Sequence, residues 1–161
     1  MQISDVKSFK VNLMKIIMSV IDKNNWHYLE TVKILRISKS YISHIKRLQD
    51  TEITLGIILL MILRLNYDVS LVISLQKSEF VIQVQSPIND VKLKLIRVIT
   101  NAVKQNNLPK TKADEIINVH PPGSRVKRLQ AQSCLIEHFI SSLIALGCTV
   151  EAKINEKMLV I

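Results

Sequence analysis

An internal repeat is the feature of this sequence that most restricts how the chain can fold. The tetrapeptide at residues 46–49, Lys-Arg-Leu-Gln, recurs at residues 127–130, a spacing of 81 positions (46 to 127). The same spacing aligns residues 65–69 with residues 146–150, and Asn25 with Asn106. Because one spacing relates three separated segments, we expect a duplicated unit rather than one unrepeated domain.

Both repeats are predicted to contain an apolar helix that ends at an equivalent residue. Asn66 follows the apolar segment 54–65, and Gly147 follows the apolar segment 133–146. Asparagine and glycine tolerate the left-handed backbone conformation that ends many helices. We therefore expect each helix to stop there.

A β-hairpin is predicted after each of these helices, because the spacing of apolar residues changes from helical to alternating. The predicted strands are residues 69–74 and 80–84 in the first repeat, and residues 150–154 and 158–161 in the second.

The boundary between the repeats is predicted at Pro87, since proline ends a strand and the following Asn89 or Asp90 can cap a helix. Each half opens with apolar residues at helical spacing. The expected fold is mainly α with small β-hairpins. It consists of two tandem units, residues 1–86 (the first half) and residues 87–161 (the second half), each with a β-hairpin at its C-terminal end.

The chain is strongly basic, and both halves share the excess charge. Its formal net charge is +9, with 11 basic and 7 acidic side chains in the first half and 11 and 6 in the second. Such a balance suits a polyanion such as nucleic acid, although an anionic membrane surface or a merely soluble basic protein fits it as well.

Cysteine spacing and hydropathy point to a cytoplasmic protein that does not span a membrane. Cys134 and Cys148 are the two cysteines, and neither has the spacing of a zinc ligand, so we expect reduced thiols and no metal. The longest apolar run, residues 55–63, is about half of the ~20 residues that a membrane span requires.

Residues 28–48 have the pattern of two short helices joined by a tight turn. The apolar residues are Val32, Leu35, Ile37, Ile42 and Ile45. The first two lie one turn apart on one predicted helix, the last two lie on a second, and Ile37 falls in the turn between them. Ser38 is expected to cap the second helix through its side-chain oxygen. The pattern is that of a helix-turn-helix motif.

At these residues the sequence resembles the phage-repressor and Cro-like (XRE-type) helix-turn-helix regulators. Their pattern of small-x-x-Leu-Gly-Val-Ser followed by Val-Ser-x-Leu stands here as residues 32–38 and 42–45. Val32 replaces the small residue, and Arg36 replaces the turn glycine. Residues 65–71 also resemble the Leu-Gly-Leu-Asp-Val-x-Leu ending of antitoxin-like members, so the resemblance covers residues 12 to 75.

The resemblance implies that the second helix of the motif enters the major groove of double-stranded DNA. The expected base-reading residues of the first half are Lys39, Ser40, Tyr41 and His44. Expected phosphate contacts, which position the protein rather than specify sequence, are His27, Tyr28, Lys46 and Arg47. No acidic residue occurs from Thr31 to Gln49, where five basic ones do.

The second half has a more divergent version of the motif. Residues 113–120 resemble the first helix and turn, and residues 121–129 the second helix. By the same register Ser124, Arg125 and Arg128 are expected to read bases, with Lys127 at a phosphate. The resemblance therefore implies two tandem five-helix helix-turn-helix units, each followed by a β-hairpin.

The sequence predicts a transcriptional regulator, such as a repressor, and not an enzyme. It has no glycine-rich phosphate loop and no nucleophile motif, and no cofactor is expected. The two motifs would form either a pseudo-dimer within one chain or part of a homodimer. Two alternatives remain open: an antitoxin-like protein that binds a toxin and regulates its own gene, and an interaction adaptor derived from the helix-turn-helix fold.

Overall fold

The computed structural model describes residues 1–76, 78–109, 111–112 and 135–156. These residues contain six α-helices, one short 3-10 turn and three strands. In chain order they are α1 (Val6–Lys23), α2 (Tyr28–Leu35), α3 (Lys39–Lys46), the 3-10 turn (Asp50–Glu52), α4 (Leu55–Arg64), β1 (Tyr67–Leu75), β2 (Ser78–Val84), α5 (Ile88–Gln105), α6 (Ile136–Ala145) and β3 (Thr149–Glu156).

The three strands form one antiparallel sheet in the order β2-β1-β3. β1 pairs with β2 in a hairpin from Leu75↔Ser78 to Val69↔Val84. On its other side β1 pairs with β3 from Ser74↔Thr149 to Tyr67↔Glu156. The sheet therefore joins strands from both halves of the chain.

The predicted fold class, two tandem five-helix units each followed by its own hairpin, is wrong. The first half has four α-helices and a 3-10 turn before its hairpin. Among the described residues, the strand of the second half pairs with β1 instead of closing a hairpin of its own. The predicted return strand, residues 158–161, lies outside the described residues.

β1, the central strand, is buried along most of one face. Five of its nine residues are buried: Val69, Leu71, Ile73 and Leu75 alternate on one face, and Val72 lies on the other. β1 obtains its second neighbour from the second half.

The outer edge of β3 is partly covered by the N-terminal residues. The Ile3 N–H donates to the Val150 carbonyl at 2.7 Å, and the Ala152 N–H donates to the Met1 carbonyl at 2.8 Å. Gln2 forms a bridge with Glu151. This contact shields part of an edge that could otherwise pair with another chain.

The internal repeat is visible in the helices. α1 and α5 each have 18 residues, and α4 and α6 each have 10. α4 is followed by Asn66 at φ 66° and α6 by Gly147 at φ 80°, so both helices end at the predicted left-handed residues.

The alignment of Asn25 with Asn106 needs a correction. After α1 the left-handed residue is Asn25 (φ 51°), and after α5 it is Asn107 (φ 48°). The spacing between equivalent residues is therefore 82 positions at the first helices and 81 from α4 onward. The sequence comparison missed the shift because asparagine occupies both 106 and 107.

The register of β1 and β3 places a pseudo-twofold axis in the sheet. Leu71 pairs directly with Ala152, and these two residues are 81 positions apart, which is the repeat spacing. A residue paired with its own equivalent lies on a twofold axis between antiparallel strands. The two halves therefore meet as two subunits of a dimer would.

One hydrophobic core contains residues of both halves. Its fully buried members include residues of α1 to α4, among them Leu35 of α2, and residues of α5, α6 and β3 belong to the same cluster. The division into domains at residues 86 and 87 stays a prediction from the sequence repeat.

Candidate functional site

Helices α2 and α3 pack their apolar sides against the core and leave a polar side outward. Leu35 at the end of α2, and Ile42 and Ile45 on α3, are each at most 1% exposed. The three residues 36–38 join the two helices. Residues 27–47, here named the α2–α3 segment, thus form a short helix, a tight turn and a second short helix, as the sequence predicts.

Arg36 makes the turn possible by adopting the left-handed conformation, with φ 48° and ψ 50°. The Arg36 N–H donates to the Val32 carbonyl, and the Ile37 N–H donates to the same oxygen at 3.4 Å. Arg36 therefore adopts the backbone conformation for which the resembling family has glycine.

Ser38 precedes α3 with extended backbone, as an N-cap residue does, but its side chain makes no capping hydrogen bond. Its Oγ lies 2.8 Å from the Oγ of Ser40 instead. The predicted side-chain cap is therefore wrong, because the two hydroxyls pair with each other.

Tyr28 links the beginnings of the two helices. Its hydroxyl donates to the Lys39 carbonyl at 3.1 Å. Tyr28 is 41% exposed, and the adjacent His27 is exposed as well. The Tyr28 oxygen remains able to accept a hydrogen bond, but its proton is already used.

The four predicted base-reading residues of α3 differ in exposure. Lys39 and Ser40 are exposed in the first turn. His44, one turn later, is half-buried, with its Nδ1 2.7 Å from the Oε1 of Gln49. Tyr41 is half-buried and packs against the core. Of these four residues, Lys39 and Ser40 are thus exposed, and His44 and Tyr41 are partly accessible.

The α2–α3 segment has four further exposed basic residues. Lys46 and Arg47 are exposed at its end, and Lys33 and Arg36 on α2 and in the turn. The segment contains one acidic residue, Glu30, which is exposed in the first turn of α2, and the next exposed acid along the chain is Glu52. The resulting surface favours an anionic ligand.

Two polar contacts were not predicted from the sequence. Arg64, the last residue of α4, donates from Nη1 to the carbonyls of Leu35 at 2.5 Å and Arg36 at 3.1 Å. Both partners lie about 28 positions away, and no local pattern signals such a contact.

The second contact is between the halves. Glu137 on α6 accepts a hydrogen bond on Oε1 from the Leu55 N–H at the start of α4, and the same oxygen lies 3.7 Å from the Lys10 Nζ on α1. Both charged side chains are nearly buried. The other carboxylate oxygen, Oε2, is buried without a hydrogen-bond partner among the described residues.

The predicted DNA-contacting residues of the second half, Ser124, Arg125, Lys127 and Arg128, lie outside the described residues, as does Cys134. Cys148 is a buried free thiol, and burial raises its pKa. Within the described ranges no three metal-ligating side chains come together. No helix in the same ranges has the length and apolarity needed to cross a membrane.

A scan against protein-family models, a search of the curated proteins and a search of the solved structures each found no match.

Proposed function

We propose that this chain binds double-stranded DNA as a transcriptional regulator, with α3 in the major groove. The observation that supports this most is the two-sided character of α3. Ile42 and Ile45 are buried, whereas Lys39 and Ser40 are exposed in the first turn. His44, one turn later, is half-buried. A helix held by its apolar side, with donors near its N-terminal end, is what major-groove recognition requires.

The base contacts follow from the chemistry of the exposed side chains. Lys39 is a donor for the O6 and N7 acceptors of guanine. Ser40 and His44 can donate or accept, and the His44 Nε2 is the ring nitrogen not used by Gln49. These residues supply sequence discrimination in the proposed complex.

Phosphate contacts flank the groove-facing helix. Lys46 and Arg47 are exposed at the end of α3, and His27 and Tyr28 are exposed at the start of α2. Phosphate contacts of this kind fix the orientation of a protein on the duplex and account for most of the salt dependence of binding.

A mobility-shift titration tests the proposal. The probes are a duplex from upstream of the chain's own gene and a scrambled duplex of the same composition, each measured at several salt concentrations. We expect a shift whose log affinity falls linearly with log salt, by ~0.9 for each phosphate contact. Failure to shift any duplex at low salt would overturn the proposal.

Two charge-removing variants separate a phosphate contact from an effect of net charge. Lys46→Ala is expected to lower the affinity for both duplexes and to reduce the salt slope by ~1. Lys94→Ala, at an exposed position on α5 outside the α2–α3 segment, removes the same charge and is expected to leave the slope unchanged.

A further inference from the structure

We infer that Arg64 is a positioning residue for α3: its guanidinium holds the turn of the α2–α3 segment in the one conformation that presents α3 to DNA. This inference rests on the proposed function. Its structural basis is the pair of hydrogen bonds from Nη1 to the carbonyls of Leu35 and Arg36.

Those two carbonyls need a partner. α2 ends at Leu35, and the last carbonyls of a helix have no N–H donor within the helix. Basic side chains near a helix C-terminus can donate to such carbonyls and interact favourably with the negative end of the helix dipole. Here the basic side chain, Arg64, comes from a different helix, so the contact fixes α2 relative to α4.

The position of the contact is what connects it to α3. Arg36 has the left-handed conformation that turns the chain from α2 into α3, and a residue with a side chain is strained there. Arg64 bonds to the carbonyl of Arg36 itself. Without this bond the turn has fewer constraints, and the angle between α2 and α3 can vary.

Arg64 is the last residue of α4, a capped and largely buried helix. α4 is capped at its other end by Thr54, whose Oγ1 accepts from the Ile57 N–H, and five of its ten residues are buried. A donor fixed at the end of such a helix can act as a reference point for a turn on the surface.

Comparison of the two repeats shows that the fold of this helix does not require the arginine. The residue of α6 equivalent to Arg64, 81 positions later, is Ala145, which has no donor. Both helices nonetheless have the same length and are followed by a left-handed residue. The arginine is therefore not needed to end the helix, and its role lies in the contact with the turn.

Hydrogen exchange tests whether Arg64 holds the turn. In Arg64→Met, which keeps an unbranched apolar stem but removes the guanidinium and its donors, we expect the amides of Arg36 and Ile37 to exchange about tenfold faster. Amides in β1 should be unchanged. Arg64→Lys keeps one charged donor, so its exchange rates at Arg36 and Ile37 should fall between those of the wild-type chain and Arg64→Met. Arg97→Ala, an exposed arginine on α5, is the charge-matched control and should alter neither segment. Unchanged exchange in the turn of Arg64→Met would overturn the inference.

DNA binding tests the consequence for α3. The probes are a duplex that the wild-type chain selects from a random pool and a scrambled duplex. Arg64→Met should weaken binding of the selected duplex about tenfold and that of the scrambled one less than about twofold, with the same salt slope. A lost phosphate contact would instead weaken both and lower the slope by ~1.

The two proposals can fail separately. If the wild-type chain binds the selected duplex and Arg64→Met keeps its preference over the scrambled one, the positioning role is overturned and the proposed function stands. If the wild-type chain binds no duplex, the proposed function fails and the role of Arg64 in DNA recognition fails with it. Faster exchange in the turn would then show only that Arg64 stabilises the turn.

Discussion

At the scale of single residues, the turn between α2 and α3 depends on an arginine in an unusual conformation. Arg36 has φ 48°, where its Cβ approaches the neighbouring carbonyl oxygen, and the strain is on the order of 1 kcal/mol. Hydrogen bonds on both sides of the residue, from its N–H to Val32 and to its carbonyl from Arg64, offset this cost.

Substitutions at Arg36 should reveal that strain. Arg36→Gly is expected to change the free energy of unfolding by less than about 1 kcal/mol, because glycine adopts this conformation freely. Arg36→Val should cost about 1–3 kcal/mol, since β-branched residues are poorly tolerated at positive φ. Urea denaturation measures both. The control is Lys33→Val, an exposed position on α2 with helical backbone; equal losses at 33 and 36 would contradict the account.

Several site features could be predicted at this scale because they depend on residue type. The burial of Leu35, Ile42 and Ile45 follows from their spacing, and the exposure of Lys39 and Ser40 from their polarity. The partial burial of Tyr41 did not follow, since a tyrosine can lie on either side of a helix. The Ser38 and Ser40 pair was missed because a hydroxyl has several possible partners.

At the scale of elements, α3 stays in place through its buried side rather than through its own helical stability. It has eight residues, and isolated helices of this length are marginal in water. Its orientation therefore depends on the burial of Ile42 and Ile45, and on the turn that precedes it.

Truncating one of those contacts should destabilise the chain without touching the exposed side. Ile45→Ala is expected to lower the free energy of unfolding by about 2–5 kcal/mol, the usual cost of emptying a buried aliphatic site. The neighbouring Lys46→Ala should change it by less than about 0.5 kcal/mol. The comparison uses thermal or urea unfolding. Similar values for the two variants would show that α3 is not held by its buried side.

Elements marked by local periodicity were predicted in both halves. Periodicity indicated α1, α4 and the β1–β2 hairpin in the first half and α5 and α6 in the second, and the structure contains all of them. The pairing of β3 with β1 could not be predicted in the same way, because the partner of a strand depends on residues about 80 positions away. Local pattern and turn residues favoured a hairpin there.

At the scale of the whole molecule, the two halves depend on each other. They share a sheet whose pseudo-twofold axis lies between Leu71 and Ala152, and they share a hydrophobic core. Glu137 adds a polar contact across the halves, because it lies on α6 and bonds to the first residue of α4. Symmetry does not repeat this contact: the equivalent of Glu137 in the first half is Gly56.

Removing that contact should destabilise both halves together. Glu137→Ala leaves the Leu55 N–H and the nearly buried Lys10 without their acceptor, which is expected to cost about 1–3 kcal/mol. Glu137→Gln keeps an acceptor for the N–H and should cost less. Calorimetry should show a single unfolding transition at a lower temperature for Glu137→Ala. Glu156→Ala, exposed at the end of β3, serves as the control. Two separate transitions would contradict the shared core.

The proposal that α3 reads DNA sequence is tested most directly by affinities for a selected duplex and for its single-base substitutions. Lys39→Ala or His44→Ala should flatten the preference at one or two positions by about 1–3 kcal/mol. Lys46→Ala should weaken all the duplexes equally. Identical effects of the three substitutions across the duplexes would contradict the claim.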